Sequence, residues 1–201
     1  RFEVDIYDVM MGETDVTEAI YPTSSKRLFL LPASMNLAGA EIEMVAMEER
    51  EYILKNIFDK IQSDFDYLII DCPPALGLMT LNVLSAADSI IIPIQAEFYA
   101  LEGLSQLVKT IRSVTKNLNP DLDILGILLT MFDGRTNLSL QVQQEVKDYF
   151  GDIVFKTVIP RSIKLSEAPG FGQPITTYAP KSKGGTAYKK LCGEVLKRVE
   201  K

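Results

Sequence analysis

The chain has 201 residues, of which 47% are hydrophobic and 24% charged, so it can bury a core of ordinary size and is not a disordered tail. With no histidine and only two cysteines, it offers neither imidazole acid-base chemistry nor a disulfide framework, and we expect a reducing, cytoplasmic compartment. The net charge of −6 hides a basic C-terminal quarter, because residues 156–201 carry 10 basic and 3 acidic side chains. That quarter is either a positive face for nucleic acid or a solvated, lysine-rich helix.

The first 25 residues show two short helical patterns, around Ile6 to Met10 and around Val16 to Ile20, ahead of Pro22. No strand precedes them. The chain begins with Arg1 rather than methionine and lacks the order of a signal peptide, so we expect a piece of a longer protein. A parallel sheet that starts from a first strand would lack that strand here.

Short, nearly all-apolar runs follow, and they predict strands that are buried on both faces. These runs are 28–33, 67–70, 89–94, 124–131 and 154–159. Helical periodicity covers 44–61, 78–86, 97–118, 138–150 and 186–199. The alternation of strands and helices predicts a doubly wound, mostly parallel α/β sheet, and the absence of a linker or repeat predicts a single domain, 1–201.

An aspartate follows the apolar run 67–70. Asp71 would therefore stand at the carboxyl end of a central strand, where such sheets bind ligands. This is the pattern of a Walker B element, whose carboxylate contacts Mg²⁺ beside nucleotide phosphates, often through a water. The alternative is an aspartate that caps the next turn. The following residues, 73–78, predict either a switch loop beside the phosphates or a rigid connector into the helix 78–86.

Longer motifs continue this pattern along the chain. They are Asp71-Cys72-Pro73-Pro74 and the blocks 76–82, 94–103, 129–138, 158–162 and 165–169. Together they resemble the ParA/Soj chromosome-partitioning ATPases over essentially the whole chain. The resemblance implies a deviant-Walker P-loop ATPase that uses ATP and Mg²⁺, dimerises around ATP and binds double-stranded DNA without sequence preference. It further implies stimulation by a ParB-type centromere-binding protein, and a cytoplasmic, nucleoid-associated location in chromosome or plasmid segregation.

The resemblance also assigns roles to residues of this chain. Asp71 becomes the catalytic carboxylate and the contact to Mg²⁺ through a water. The adenine is expected beside the ends of two late strands, at Thr130, Met131, Pro160, Arg161 and Ser162. DNA contacts are expected at Arg135 and Lys164, since loop cations reach phosphate oxygens without reading bases. The competing interpretations are core packing for Met131 and a solvated surface role for Arg135.

One departure from the family concerns the phosphate-binding loop. No G-x-x-x-x-G-K-[ST] pattern occurs in the 201 residues, and the nearest candidate, 183–186, is typical of a helix start. The chain therefore corresponds to the C-terminal three-quarters of the ATPase domain, without its first β-α-β portion. Because phosphoryl transfer depends on positioning by that loop, we expect this chain alone not to hydrolyse ATP. We also expect exposed apolar surface at 28–33 and 67–70.

Three alternatives stay open at this point. A MinD-type cell-division ATPase would use a membrane-binding amphipathic tail, but the amphipathic helix 186–199 is expected to cover the sheet. The second alternative is a P-loop metabolic ligase or reductase. A related electron-transfer iron protein would need cysteines that bind an iron-sulfur cluster, and Cys72 and Cys192 do not supply them. The third is a noncatalytic interaction module. ATP hydrolysis measured with and without DNA and a centromere-binding protein would separate them.

Overall fold

The computed structural model describes residues 2–72, 75, 77–98 and 100–200. The chain forms two compact units. The first comprises Arg1–Asp88 with Thr110–Leu122, and the second comprises Ser89–Lys109 with Asp123–Lys201. The assignment of 1–201 to a single domain stays a prediction. In the described ranges, no helix combines the length and the apolar character that a membrane span needs.

Short helices are the main regular elements in the described part of the first unit. They are α1 Ile6–Met10, α2 Leu37–Met44, α3 Ile53–Phe58 and α4 Leu78–Ala86. Their apolar side chains meet in one core, in which Met44 and Ala40 are fully buried. The helix predicted at 78–86 is confirmed as α4. The two predicted N-terminal helices are confirmed as α1 and a 3-10 helix, Val16–Ala19.

Aspartates begin both of the N-terminal helices. The Asp5 carboxylate accepts a hydrogen bond from the Tyr7 N–H at 2.7 Å, and the Asp5 N–H donates to the Asp8 carboxylate at 2.7 Å. Asp15 accepts from the Thr17 N–H at 3.0 Å in the same way. These bonds satisfy N–H groups that have no partner inside the helix, and they explain why such short helices form here.

The continuous helix predicted at 44–61 is wrong. Helix α2 ends at Met44, α3 begins at Ile53, and turns occupy the residues between them. The physical reason is local, because Glu49 adopts a left-handed backbone with φ of 50°, which a helix cannot contain. Arg50 also donates to the Val45 carbonyl at 2.8 Å, which stabilises the turn.

A buried asparagine connects α3 to α4. The Asn82 side chain has no exposed surface, and its Oδ1 accepts from the Leu54 N–H at 3.1 Å. Its Nδ2 donates to the carbonyls of Arg50 at 2.6 Å and Leu78 at 3.1 Å. Because Leu54 lies in the first turn of α3, Asn82 supplies that helix with a cap from a distant part of the chain.

The buried strands predicted at 28–33 and 67–70 are wrong in burial and pairing. Only β2 Phe29–Leu30 forms in the first run, antiparallel to β1 Tyr21–Pro22, and residues 67–70 form no strand. Ile69 is 95% exposed and Leu28 is 56% exposed. A strand is buried and ordered by its neighbours, and the described residues place no parallel strand beside these runs. The expected exposure of apolar surface is confirmed.

A parallel strand pair forms the centre of the second unit. Strand β3 Ser89–Gln95 pairs with β4 Asp123–Thr130, with Ile92 opposite Ile127. Helix α5 Ala100–Asn117 lies between the two strands in sequence. Both strands fall where the apolar runs 89–94 and 124–131 predicted them. The parallel α/β class is thereby confirmed, since parallel strands need such a crossover connection.

The strand predicted at 154–159 forms only in part. Isolated parallel bridges join Val154 to Ile127 and Pro160 to Phe132, while the middle of the segment leaves the ladder. There the Glu194 carboxylate accepts from the N–H groups of Lys156 at 2.7 Å and Thr157 at 3.0 Å. Burial acts to raise the pKa of Glu194, but these backbone hydrogen bonds outweigh it and lower the pKa. A side chain thus replaces a neighbouring strand as hydrogen-bond partner.

The remaining helices belong to the second unit. They are α6 Asn137–Phe150, α7 Ile163–Glu167, α8 Ile175–Tyr178 and α9 Lys183–Val199. Helices α5, α6 and α9 confirm the predictions at 97–118, 138–150 and 186–199 within a few residues. The 183–186 segment is confirmed as a helix start, because the Ser182 hydroxyl accepts from the Gly185 N–H at 3.1 Å. Leu191 of α9 packs with Leu128 and Phe155 in one buried core.

Candidate functional site

The end of β4 carries the first pair of predicted nucleotide residues. Thr130 closes the strand, and its hydroxyl donates to the Ile94 carbonyl at 3.0 Å. Met131 follows with a left-handed backbone, φ 52°, which turns the chain away from the strand and leaves its side chain 41% exposed. Thr130 therefore ties β4 to β3, whereas Met131 presents a thioether to solvent. The core-packing interpretation of Met131 is wrong, because its side chain lies at the surface.

The second group of predicted nucleotide residues lies beside the first. The Phe132 N–H donates to the Ile159 carbonyl at 3.1 Å, and the Arg161 N–H donates to the Phe132 carbonyl at 3.0 Å. These bonds hold 160–162 against the residues that follow β4. Ser162 immediately precedes α7, and its side chain does not cap that helix. The structure thus brings Thr130, Met131, Pro160, Arg161 and Ser162 together at one end of the second unit.

This group has the chemistry of a purine contact. The thioether of Met131 and the ring of Pro160 are polarisable or apolar surfaces on which a flat base can lie. The Ser162 hydroxyl, with no hydrogen bond among the described residues, is available to a polar edge. Arg161 is exposed and supplies a positive charge at the same place. These residues therefore fit the base and the anionic part of a nucleotide.

Asp71 lies in the first unit, directly after the apolar run 67–70. It is exposed and is not at the end of a paired strand, so the predicted strand that would position it is absent from the described residues. Among the described residues, no group of three or more acidic or cysteine side chains could hold a metal ion. A lone carboxylate fits an outer contact to a hydrated Mg²⁺ and does not by itself make a metal site. The proposed switch residues Pro73, Pro74 and Leu76 lie outside the described residues.

Arg135 is paired with a carboxylate two residues away. Its Nε and Nη2 donate to the two oxygens of Asp133 at 2.9 and 2.6 Å, and its backbone N–H donates to Asp133 at 3.1 Å. The Arg135 side chain is nevertheless 89% exposed. Hydrogen bonds from Arg135, with a smaller contribution from Arg161, hold the pKa of Asp133 well below its usual range. The fork geometry fixes the guanidinium direction in the loop before α6.

Lys164 has a similar arrangement in α7. Its Nζ donates to the Glu167 carboxylate at 2.8 Å and lies 5.6 Å from the centre of the Tyr178 ring. The Tyr178 hydroxyl donates to the same carboxylate at 2.9 Å. Hydrogen bonds from Lys164 and then Tyr178 lower the pKa of Glu167, and the bond to Glu167 raises the pKa of Lys164. Both predicted DNA contacts are therefore cations with a nearby carboxylate.

Sequence reasoning missed these carboxylate partners. Asp133 stands two residues before Arg135, and Glu167 stands three residues after Lys164, which is a spacing at which helical side chains meet. Opposite charges at short spacing along the chain were therefore the signal that could have indicated these ion pairs. Sequence reasoning also missed Glu194. Its partners Lys156 and Thr157 are distant in sequence, and no local pattern indicates that pairing.

Comparisons with known proteins agree with this geometry. A family model described as an AAA domain matches residues 1–124. The chain is 53% identical over 190 residues to the sporulation initiation inhibitor protein Soj of Bacillus subtilis (strain 168), covering 94% of this chain and 75% of that protein. It is 49% identical over 193 residues to the chromosome partitioning protein ParA of Myxococcus xanthus (strain DK1622), covering 96% of this chain and 68% of that protein.

A solved structure extends the likeness to the fold. The cobyrinic acid a,c-diamide synthase from Mycobacterium smegmatis with bound ADP and magnesium matches at a TM-score of 0.84 and 36% identity. The match covers 100% of this chain and 74% of that one. Together with the parallel pair of β3 and β4, it defines an α/β protein of the P-loop NTPase class. Within that class, the chain belongs to the ParA/Soj family of chromosome-partitioning ATPases.

Proposed function

We propose that this chain serves ATP-dependent DNA partitioning, as part of an ATPase that dimerises on ATP and binds double-stranded DNA without sequence preference. The observation that carries the proposal is the group of Thr130, Met131, Pro160, Arg161 and Ser162, which offers a surface for the base of a nucleotide. A ParB-type centromere-binding protein is the proposed stimulating partner, and the nucleoid within the cytoplasm is the proposed location.

Support for the nucleotide comes from chemistry and from one solved structure. The apolar surfaces of Met131 and Pro160 suit an adenine, and Arg161 suits the charge of a phosphate. The similar synthase from Mycobacterium smegmatis is described with bound ADP and magnesium. In the proposed assembly, ATP supplies the phosphoryl group and Mg²⁺ neutralises its charge. Asp71 is proposed to contact the hydrated ion.

We expect this chain to bind an adenine nucleotide without hydrolysing it. The residues for the base are present, whereas no G-x-x-x-x-G-K-[ST] pattern occurs in the 201 residues, and phosphoryl transfer relies on that loop. Titration with a fluorescent ATP analogue should give binding that Met131→Glu weakens about fivefold or more, because a carboxylate there repels phosphates and removes an apolar contact. Phosphate release with Mg-ATP should not exceed the rate without protein.

Met35→Glu is the matched control for this experiment, since Met35 is 92% exposed in the first unit. It should leave nucleotide binding within about twofold of the parent chain. Equal losses in the two variants would contradict the proposed base contact. Turnover that Asp71→Ala abolishes would contradict the proposed inactivity of this chain.

We expect Arg135→Ala to weaken DNA binding equally for duplexes of unrelated sequence. The exposed guanidinium is held by Asp133 in a fixed direction, which suits a contact to a phosphate rather than to a base. The slope of log affinity against log salt should fall in magnitude by about one for each phosphate contact that is lost. Fluorescence anisotropy over a series of salt concentrations measures both quantities.

Arg112→Ala removes the same charge from an exposed position on α5 and serves as the control. It should change the DNA affinity by less than about twofold and should leave the salt slope unaltered. If both variants weakened binding alike, general charge attraction would explain the result. A loss confined to one duplex sequence would also contradict a phosphate contact.

A further inference from the structure

We propose that Asp133 and Glu167 limit the affinity of this chain for DNA, because each carboxylate occupies a cation that a DNA phosphate would use. This inference rests on the proposed function, in which Arg135 and Lys164 contact DNA, and it names the residues that regulate that contact. All four residues lie in the second unit. A phosphate that approaches either cation must therefore compete with an anion of the chain itself.

Asp133 covers the part of Arg135 that best suits a phosphate. The Nε and Nη2 groups of Arg135 donate to the two Asp133 oxygens at 2.9 and 2.6 Å, and this pair of parallel N–H groups is the planar fork that binds phosphate in the same way. Among the described residues, Nη1 donates to no partner, but a phosphate bound there would lie beside the Asp133 charge. The carboxylate thus both occupies the fork and repels its competitor.

The turn before α6 holds Asp133 in this position. Its carboxylate accepts from the Arg135 backbone N–H at 3.1 Å, and its carbonyl accepts from the Thr136 N–H at 3.1 Å and the Thr136 hydroxyl at 3.0 Å. Hydrogen bonds from Arg135 keep the pKa of Asp133 well below its usual range, so the carboxylate is ionised at neutral pH. Local bonds therefore keep a negative charge beside the guanidinium.

Glu167 is held beside Lys164 by an aromatic pair. The Lys164 Nζ donates to a Glu167 oxygen at 2.8 Å, and the Tyr178 hydroxyl donates to the same oxygen at 2.9 Å. The Tyr178 ring stacks on Phe171 with the ring centres 5.0 Å apart. Because Tyr178 anchors the carboxylate, Lys164 has an anionic partner before any DNA arrives.

Other cations of the second unit do not have such a partner. Lys181 and Lys183 are exposed and, in the ranges that the structure describes, belong to no ion pair. Their charges can attract DNA over a distance without a fixed contact. Internal carboxylates occupy the two cations proposed for close contact, so Asp133 and Glu167 act on those contacts rather than on the overall charge.

Asp133→Asn should raise the affinity for DNA about threefold to fivefold, which is the range that an exposed ion pair contributes. Asparagine keeps an oxygen for the Arg135 backbone N–H, so the turn before α6 is retained. Glu167→Gln should act in the same direction by about threefold, and its amide oxygen can still accept from Tyr178. For Asp133→Asn, the slope of log affinity against log salt should rise in magnitude by up to about one. Fluorescence anisotropy with labelled duplexes of unrelated sequence measures these quantities.

Asp148→Asn and Glu145→Gln are the matched controls, because they make the same chemical changes at exposed positions of α6. Their carboxylates accept from Gln144 and Gln141 rather than from a cation. Asp148 lies about 16 Å along the helix from its first residue, which exceeds the distance over which exposed charges interact in physiological salt. Both controls should change the DNA affinity by less than about twofold. A gain equal to that of Asp133→Asn would show a general charge effect and would overturn the proposal.

Double variants test whether each carboxylate acts through its cation. Asp133→Asn combined with Arg135→Ala should bind DNA within about twofold of Arg135→Ala alone, because the carboxylate then has no cation to occupy. Glu167→Gln combined with Lys164→Ala should behave in the same way. A gain that persists in full without the cation would overturn the proposal. Weaker DNA binding by Asp133→Asn would show that the carboxylate positions Arg135 for DNA and would overturn it too.

The alanine variants separate this proposal from the proposed function. If Arg135→Ala weakens DNA binding while Asp133→Asn and Glu167→Gln leave it unaltered, the DNA contact stands and only the limiting role of the carboxylates fails. If Arg135→Ala and Lys164→Ala both leave the DNA affinity unaltered, the proposed contacts fail, and the limiting role fails with them.

Discussion

Asn82→Leu is expected to lower the free energy of unfolding of the first unit by about 3 to 5 kcal/mol. Leucine has a similar volume but cannot accept from the Leu54 N–H or donate to the Arg50 carbonyl, and both groups would lose their partner. Buried polar groups without partners retain their full desolvation cost. Amide hydrogen exchange in α3 and α4, together with urea unfolding, measures the loss and locates it.

The control makes the same chemical change on the surface of α3. Asn56 is exposed, so Asn56→Leu should alter the stability by no more than about 0.5 kcal/mol. Asn82→Asp keeps an acceptor for Leu54 but cannot donate to Arg50, and we expect it to be destabilising as well. If Asn82→Leu proved no more harmful than Asn56→Leu, the capping role of Asn82 would be refuted.

Arg198→Ala is expected to destabilise the second unit by about 2 to 4 kcal/mol. Its Nη1 donates to the carbonyls of Leu125 at 2.7 Å and Ile153 at 2.8 Å, and the guanidinium lies 4.1 Å from the centre of the Phe155 ring. These contacts connect α9 to β4 and to the irregular segment after α6. Faster amide exchange in β4 is the expected observation.

Lys197→Ala provides the comparison for Arg198, because it removes a neighbouring exposed cation from the same helix. Its effect should stay within about 0.5 kcal/mol. The loss of stability in Arg198→Lys should lie between the losses in Lys197→Ala and Arg198→Ala. A lysine keeps the charge but cannot reach two carbonyls with a planar fork. Equal amide exchange rates in Lys197→Ala and Arg198→Ala would refute the role of Arg198 in connecting α9 to β4.

Glycine 126 explains how the arginine approaches so closely. A Cβ at this position of β4 would overlap the Phe155 ring and the Arg198 guanidinium. The apolar run 124–131 predicted the strand correctly, but it contained no sign of why a glycine interrupts the run. The reason lies in residues that are distant in sequence, so only the folded chain reveals it.

Local pattern was sufficient for several elements of this protein. Strands β3 and β4 and helices α4, α5, α6 and α9 follow from apolar runs and from 3.6-residue periodicity, which reflect burial of one or both faces. Ordered motifs from Asp71 to Pro169 were sufficient for the ParA/Soj family. The motifs also led to the group of residues at Met131 and Pro160, which the structure brings together.

Tertiary structure decided the remainder. The runs 28–33 and 67–70 have the composition of buried strands but stay exposed, because a strand needs neighbours to complete its hydrogen bonds. The segment 154–159 leaves the ladder because Glu194 accepts two of its N–H groups. The predicted helix 44–61 breaks at Glu49, whose left-handed backbone no periodicity reveals. For the predicted strands, the outcome depends on which group satisfies a backbone donor or acceptor, and such partners are set by three-dimensional proximity rather than by spacing along the chain.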